Sequence, residues 1–190
     1  MRNSERKKVH IDNKLMERIQ KGQNGAFEEL YELTNRVLYA YLLSCTKNAE
    51  DAKDLLQESF LQIYKDIRSY KNMGKPMAWM MTIARNQFLM KYRKEKNEKE
   101  QTVYVESDEL EQQIGCSGLE SVEERLLITK MFETLETDDR NIIIMHAVGG
   151  MKFNEIAEIM QWPMGTVISH YYRSTKMLKS TFRKGGQNEK

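Results

Sequence analysis

Cysteine, proline and histidine are scarce in this chain. Among its 190 residues there are two cysteines, two prolines and three histidines. Cys45 and Cys116 lie far apart and neither belongs to a CxxC, and His10, His146 and His170 stand alone. That spacing argues against a metal site and against a disulfide framework. Cys45 reads as a small buried hydrophobe. No apolar run approaches the roughly 18 residues a membrane span needs, so no membrane insertion is expected. The basic start MRNSERKKVHIDNKL has no apolar stretch behind it, which leaves no secretory signal and makes the cytoplasm the expected compartment. A Gly-rich phosphate loop and a nucleophile–base signature are also missing. An enzyme is therefore disfavoured, and no cofactor is implied.

Strand-like alternation is almost absent too, and helix formers dominate. The expected fold is all-α: two small helical domains joined by a flexible acidic linker. The reading divides the chain into an N-terminal arm and first helix (1–23), a first domain (24–94), a linker (95–121), a second domain (122–183) and a frayed tail (184–190). Helices are expected over about 12–21, 24–45, 49–67 and 76–96, and then over about 122–135, 138–148, 153–160 and 164–182. Asn24 is placed as the cap of the second helix, and Pro76 suits the first turn of the fourth. The third helix is the most regular. Ala52, Leu55, Leu56, Ser59, Phe60, Ile63, Tyr64 and Ile67 recur at helical spacing, with Asp51, Asp54, Gln57, Glu58 and Gln62 on the other side. Segment 95–121 carries eight acids against two lysines, with two glycines and few large apolar residues. Such a composition buries too little to fold alone. Fully extended, it spans at most about 90 Å.

The stretch FNEIAEIMQWPMGTVISHYYRS (153–174) interrupts one amphipathic helix and starts another. Ile156, Ala157 and Met160 face inward on the first. Trp162-Pro163 is read as its end, because a residue before proline is pushed out of the α region, and proline is harmless where the next helix begins. On the second helix Val167, Tyr171, Ser174 and Leu178 form an inward stripe. Thr166, Ser169, His170, Tyr172 and Arg173 point outward near its N-terminal half. This is the pattern of a helix-turn-helix, whose second helix enters a major groove by that half. A plain helical hairpin with a polar surface fits the same pattern.

Three segments in one order narrow the choice. DLLQESFLQIYKDI (54–67), AWMMTIARN (78–86) and LETDDRNIIIMHAVGGMKFNEIAEIMQWPMGTVISHYYRS (135–174) together resemble bacterial RNA polymerase sigma factors. The compact form, two domains and a linker, is similar to the extracytoplasmic-function group. The resemblance implies a sigma factor that binds core RNA polymerase and promoter DNA and directs initiation at −10 and −35 elements. Asp54, Gln57 and Glu58 match the surface that docks on core polymerase. Tyr70, Lys71, Asn72, Arg85, Asn86, Lys91, Arg93 and Lys94 match the element that opens and holds −10 DNA. There Asn86 suits a base contact and the cations suit phosphates, whereas Trp79, with Met80 and Ile83, suits the core. Thr166, Ser169, His170, Tyr172 and Arg173 match the −35 reader. The linker resembles the segment that threads the polymerase's active-site cleft. The family often adds an anti-sigma protein as a partner, although no residue here names one.

One departure stands out. Similar chains usually carry a basic residue at position 168, and often at 170 and 175; here these are Ile168, His170 and Thr175. Fewer phosphate partners imply weak binding to duplex alone and a shallow salt dependence. An autonomous helix-turn-helix regulator, needing no polymerase, is the alternative; it accounts for 135–174 and leaves 48–94 unexplained. A module that sequesters a partner leaves the basic helix 85–99 without a purpose.

Overall fold

The computed structural model describes residues 9, 11–71, 74–99 and 129–185, and these are helical with no strand among them. Helix α1 spans Asn13–Gln20, α2 Ala26–Thr46, α3 Ala49–Asp66 and α4 Pro76–Lys99. A 3-10 turn, Ile67–Ser69, closes α3. The described part of the second half holds α5 (129–134), α6 (Thr137–Ile143), a π-helical turn Ile144–Val148, α7 (Phe153–Met160) and α8 (Met164–Gly185). Of the acidic linker expected at 95–121, residues 95–99 continue α4 and 100–121 lie outside the described residues, as do residues 122–128 at the start of the expected fifth helix.

Local chemistry explains most of the boundaries. Asp12 caps α1 by accepting from the Lys14 amide at 3.1 Å. Asn48 caps α3, accepting from the amides of Glu50 and Asp51 at 2.8 and 3.2 Å. Asn24 does not cap α2. The N-cap is Gly25, at a φ of 78°, with no side-chain cap, because the left-handed turn there suits a residue without Cβ.

One group of helices is built by α2, α3 and α4 packed on one another, and another by α6, α7 and α8. The two groups touch: α2 contacts α6 and the π-helical turn, and α4 contacts α7. This explains α2, on which every residue from Val37 to Ser44 is buried. An exposed helix buries one stripe; α2 is covered from both sides. Gly149 marks a close approach, since a Cβ there would lie 2.8 Å from the Met145 carbonyl oxygen and 3.2 Å from Val37 Cγ1.

Arg140 anchors the contact. It is 3% exposed. Its Nε donates to Ser44 Oγ at 3.2 Å, and Nη2 donates to the Ser44 carbonyl at 3.4 Å and to Thr137 Oγ1 at 2.8 Å. Nη1 donates to the Leu135 carbonyl, and the guanidinium lies 4.5 Å over the Phe132 ring. Burial works against its charge and Glu136 supports it. The Ser44 carbonyl lies in the last turn of α2, where the helix dipole favours a cation.

Candidate nucleic-acid interface

Asp54, Gln57 and Glu58 are all exposed on α3, opposite a stripe that buries Ala52, Leu55, Leu56, Ser59, Phe60 and Ile63. Tyr64 departs from the sequence expectation. It is 62% exposed, its ring meeting Phe27 edge-on at 5.1 Å. Leu61, also 61% exposed, lies one turn beyond Gln57 and Glu58 and extends their face. An exposed leucine carries no signal in sequence until the buried side of its helix is known.

The segment between α3 and α4 is held by α1. Gln20 Nε2 donates to the carbonyls of Ile67 at 2.9 Å and Tyr70 at 2.8 Å. Tyr70 is thereby tucked in, 7% exposed, with its ring 4.9 Å from that of Trp79. In this arrangement it is a wall residue, not a free platform for a base. Burial raises its phenol pKa above the ordinary value. Trp79 packs partly buried against the core, as the sequence suggests. Asn72 lies outside the described residues.

Tyr70, Lys71, Lys75, Trp79, Thr82, Arg85 and Asn86 line one side of a cleft of about 400 Å³. Glu155, Glu158, Ile159 and Gln161, from α7 and its end, line the other. The facing walls are complementary in charge, and Lys75 Nζ reaches Glu158 Oε1 at 3.4 Å. Lys75 belongs to the loop from Tyr70 that the resemblance already includes, but sequence reading missed the acidic wall altogether, because Glu155 and Glu158 come from more than 60 residues away in the chain.

Lys91 does not share this cleft. It forms an ion pair with Asp51 that ties α4 to α3, so a phosphate there would compete with a carboxylate. Arg93 and Lys94 are exposed on the same helix.

In the second group, α7 ends at Met160, the boundary the sequence suggests, but a different residue ends it. Gln161, not Trp162-Pro163, breaks the helix, adopting a left-handed φ of 58° while its amide bonds the Ala157 carbonyl. Pro163 then sits just outside α8, its carbonyl accepting from Thr166 and Val167 amides at 3.0 and 3.2 Å. Glu155 Oε2 accepts from the Lys152 amide at 2.9 Å and steadies the start of α7. On α8, Val167, Ser174 and Leu178 are buried, and Tyr171 is half-buried against the rings of His146 and Phe153. Ser169, Tyr172 and Arg173 are exposed, while Thr166 and His170 are half-buried. His170 is paired with Asp139, Nδ1 to Oδ1 at 2.6 Å.

Cys45 lies where α2 meets α6. Asn141 Nδ2 approaches its sulfur at 3.5 Å, and burial pushes the thiol up from 9.0 to about 11, against the hydrogen bonds of Asn141 and Tyr41. Among the described residues no group of three or more His, Cys, Asp or Glu is placed to hold a metal ion, and no helix is long and apolar enough to cross a membrane.

With this geometry in view, comparison with known proteins is specific. Residues 30–98 match the model of sigma-70 region 2, and residues 125–178 that of sigma-70 region 4. The chain is 30% identical over 166 residues to the ECF RNA polymerase sigma factor SigM of Bacillus subtilis, covering 85% of this chain and 98% of the relative. It is 28% identical over 181 residues to the ECF RNA polymerase sigma-E factor of Haemophilus influenzae, covering 89% of this chain and 94% of that one. Among solved structures, it is similar to the sigma factor RpoE of Bartonella quintana in complex with the anti-sigma factor NepR. There the TM-score is 0.65 at 24% identity, over 83% of this chain and 96% of the other. The structure of CnrH with the cytosolic domain of CnrY gives a TM-score of 0.58 at 18% identity, over 90% and 96% of the two chains; both likenesses are of fold. The chain belongs to the extracytoplasmic-function sigma factors of the sigma-70 family. Its function is that of a sigma factor, a DNA-binding regulator that directs transcription initiation by RNA polymerase.

Proposed function

We propose that three surfaces divide the work. The exposed Asp54, Gln57 and Glu58 face of α3, extended by Leu61, docks on core polymerase in the cytoplasm. The wall of the cleft formed by Lys71, Lys75, Arg85 and Asn86 takes the opened −10 strand, with cations on phosphates and the amide on a base. The outward side of α8, from Thr166 to Arg173, reads the −35 duplex. An anti-sigma protein is a further partner, since relatives of the same fold are held by NepR or by the cytosolic domain of CnrY.

The observation that carries the reading is the cleft, where cationic and amide side chains converge beside a half-buried tryptophan. As it stands the opposite wall is α7, and DNA cannot enter while Glu155 and Glu158 occupy it. The −10 and −35 elements, by their nominal positions, lie roughly 85 Å apart at 3.4 Å per base pair. Two groups in contact cannot read both. Engagement of promoter DNA on polymerase therefore separates α7 from α4.

Binding of the full chain to core polymerase is the test, alongside a Gln57→Ala/Glu58→Ala variant. Tight binding that weakens at least tenfold in the folded variant is expected. Absent binding to core, with tight binding to duplex alone, would instead make the chain an autonomous regulator.

A further inference from the structure

The outward side of α8 carries two side chains already engaged within the protein. His170 Nδ1 lies 2.6 Å from Oδ1 of Asp139, a carboxylate only 11% exposed in the first turn of α6. The imidazole rests 5.0 Å from the Trp162 ring, tilted by 52°. One turn on, Arg173 brings Nη2 to 3.0 Å from the same Nδ1 and to 4.0 Å from Asp139 Oδ1.

Of the two neutral tautomers of His170, one satisfies these contacts. An ionised carboxylate only accepts, so Nδ1 carries a hydrogen and donates it to Asp139. A guanidinium only donates, so Nη2 makes no hydrogen bond to that Nδ1; the charge of Asp139 is what draws it there. Nε2 has no partner among the described residues and is not one of the buried unpaired atoms. It is therefore the nitrogen that meets solvent.

We propose that Asp139 is a positioning residue for −35 readout, holding His170 with Nδ1–H turned inward and Nε2 outward and drawing Arg173 alongside it. This rests on the reading of α8 as the −35 helix and names a determinant within it. A neutral imidazole held this way offers an acceptor to the groove. The major-groove partners of an acceptor are the exocyclic amines of adenine and cytosine. Arg173 beside it supplies donors for guanine or phosphate. A lysine or arginine at position 170 would supply donors only. Asp139 thus gives this contact base selectivity, and Arg173 beside it offsets its negative charge towards the phosphates.

The test uses the holoenzyme, assembled from core polymerase and the full chain. Duplexes randomised over the −35 region are enriched by retention on it, and discrimination is the ratio of affinities for an enriched duplex and one with that region scrambled. Asp139→Asn keeps the size of the side chain but lets an amide N–H face Nδ1. It is expected to lower discrimination about tenfold, the loss of one good base contact. His170→Ala is expected to do the same, and in that background Asp139→Asn is expected to cost less than it does alone. Nitrogen-15 spectra of the free full chain are expected to show the His170 proton on Nδ1, and to show it redistributed in Asp139→Asn. Thermal melting confirms that each variant is folded. Unchanged discrimination in Asp139→Asn, additive losses in the double variant, or a proton on Nε2 would each overturn the proposal. If His170→Ala and Arg173→Ala both leave discrimination intact, the −35 reading itself falls, and the proposal with it.

Discussion

Cys45 illustrates how much a single side chain depends on its neighbours. Its thiol is raised to about 11 by burial at the contact of α2 with α6. The sign follows directly: the folded chain keeps the proton to higher pH than the unfolded chain does, so the contribution is full below about 9 and is lost as pH rises from there through about 11. The same shift controls reactivity, since only the thiolate is a nucleophile. At pH 8, in a Cys116→Ser background, alkylation of Cys45 is expected to be about a hundredfold slower than that of an ordinary thiol. A rate close to that of a free thiol would show that α2 and α6 do not stay together in solution. Arg140 belongs to the same contact. Its four donations to Ser44, Thr137 and Leu135 use the geometry of a guanidinium, which a lysine ammonium does not reproduce.

At the scale of elements, the turn between α7 and α8 sets how the reading helix is presented. Gln161 holds a left-handed φ of 58°, a conformation that costs an L-residue roughly 1 kcal/mol and glycine almost nothing. Gln161→Gly is expected to leave the melting temperature unchanged or raise it. Gln161→Val is expected to destabilise by about 1–2 kcal/mol, because a β-branched residue fits that conformation worst. Denaturant titration of the two variants checks both. Equal stability would mean that the break between the helices is set by Pro163. The same logic separates the two faces of α3. Its buried stripe supports the fold, so variation at Gln57 or Glu58 is expected to alter polymerase binding without altering stability.

For the whole molecule, the arrangement of the two helical groups has the largest consequence. The cleft wall that bears Lys75 and Arg85 is matched by Glu155 and Glu158 on α7, and the Lys75–Glu158 pair is too exposed, at 34% and 68%, to hold the groups together alone. Burial around Arg140, Val37 and Gly149 does more. Paired spin labels at Thr82→Cys and Asn154→Cys, both exposed positions, in a Cys45→Ala/Cys116→Ser background, are expected to report one short distance in the free chain. A much longer one is expected in the holoenzyme. An unchanged short distance on polymerase would contradict separation of α7 from α4.

Much of this was legible in the sequence because helices announce themselves locally. Periodicity marks α3 and α8, Pro76 marks the start of α4, and helical spacing points Ile156, Ala157, Met160 and Val167 inward, where they are buried. The exposed residues Asp54, Gln57, Glu58, Ser169, Tyr172 and Arg173 were also readable, since a helix with one apolar stripe must turn its remaining side chains to water. Tertiary contact decided the rest. Nothing local says that α2 is covered on both sides, that Lys91 is bound to Asp51, that Tyr70 is a wall, or that Glu158 faces Lys75. The pairing of Asp139 with His170 joins residues 31 apart in the chain. Hydrophobic period is a property of one helix and survives in sequence. A charge's partner is a property of two helices, and it exists only once packing has brought them together.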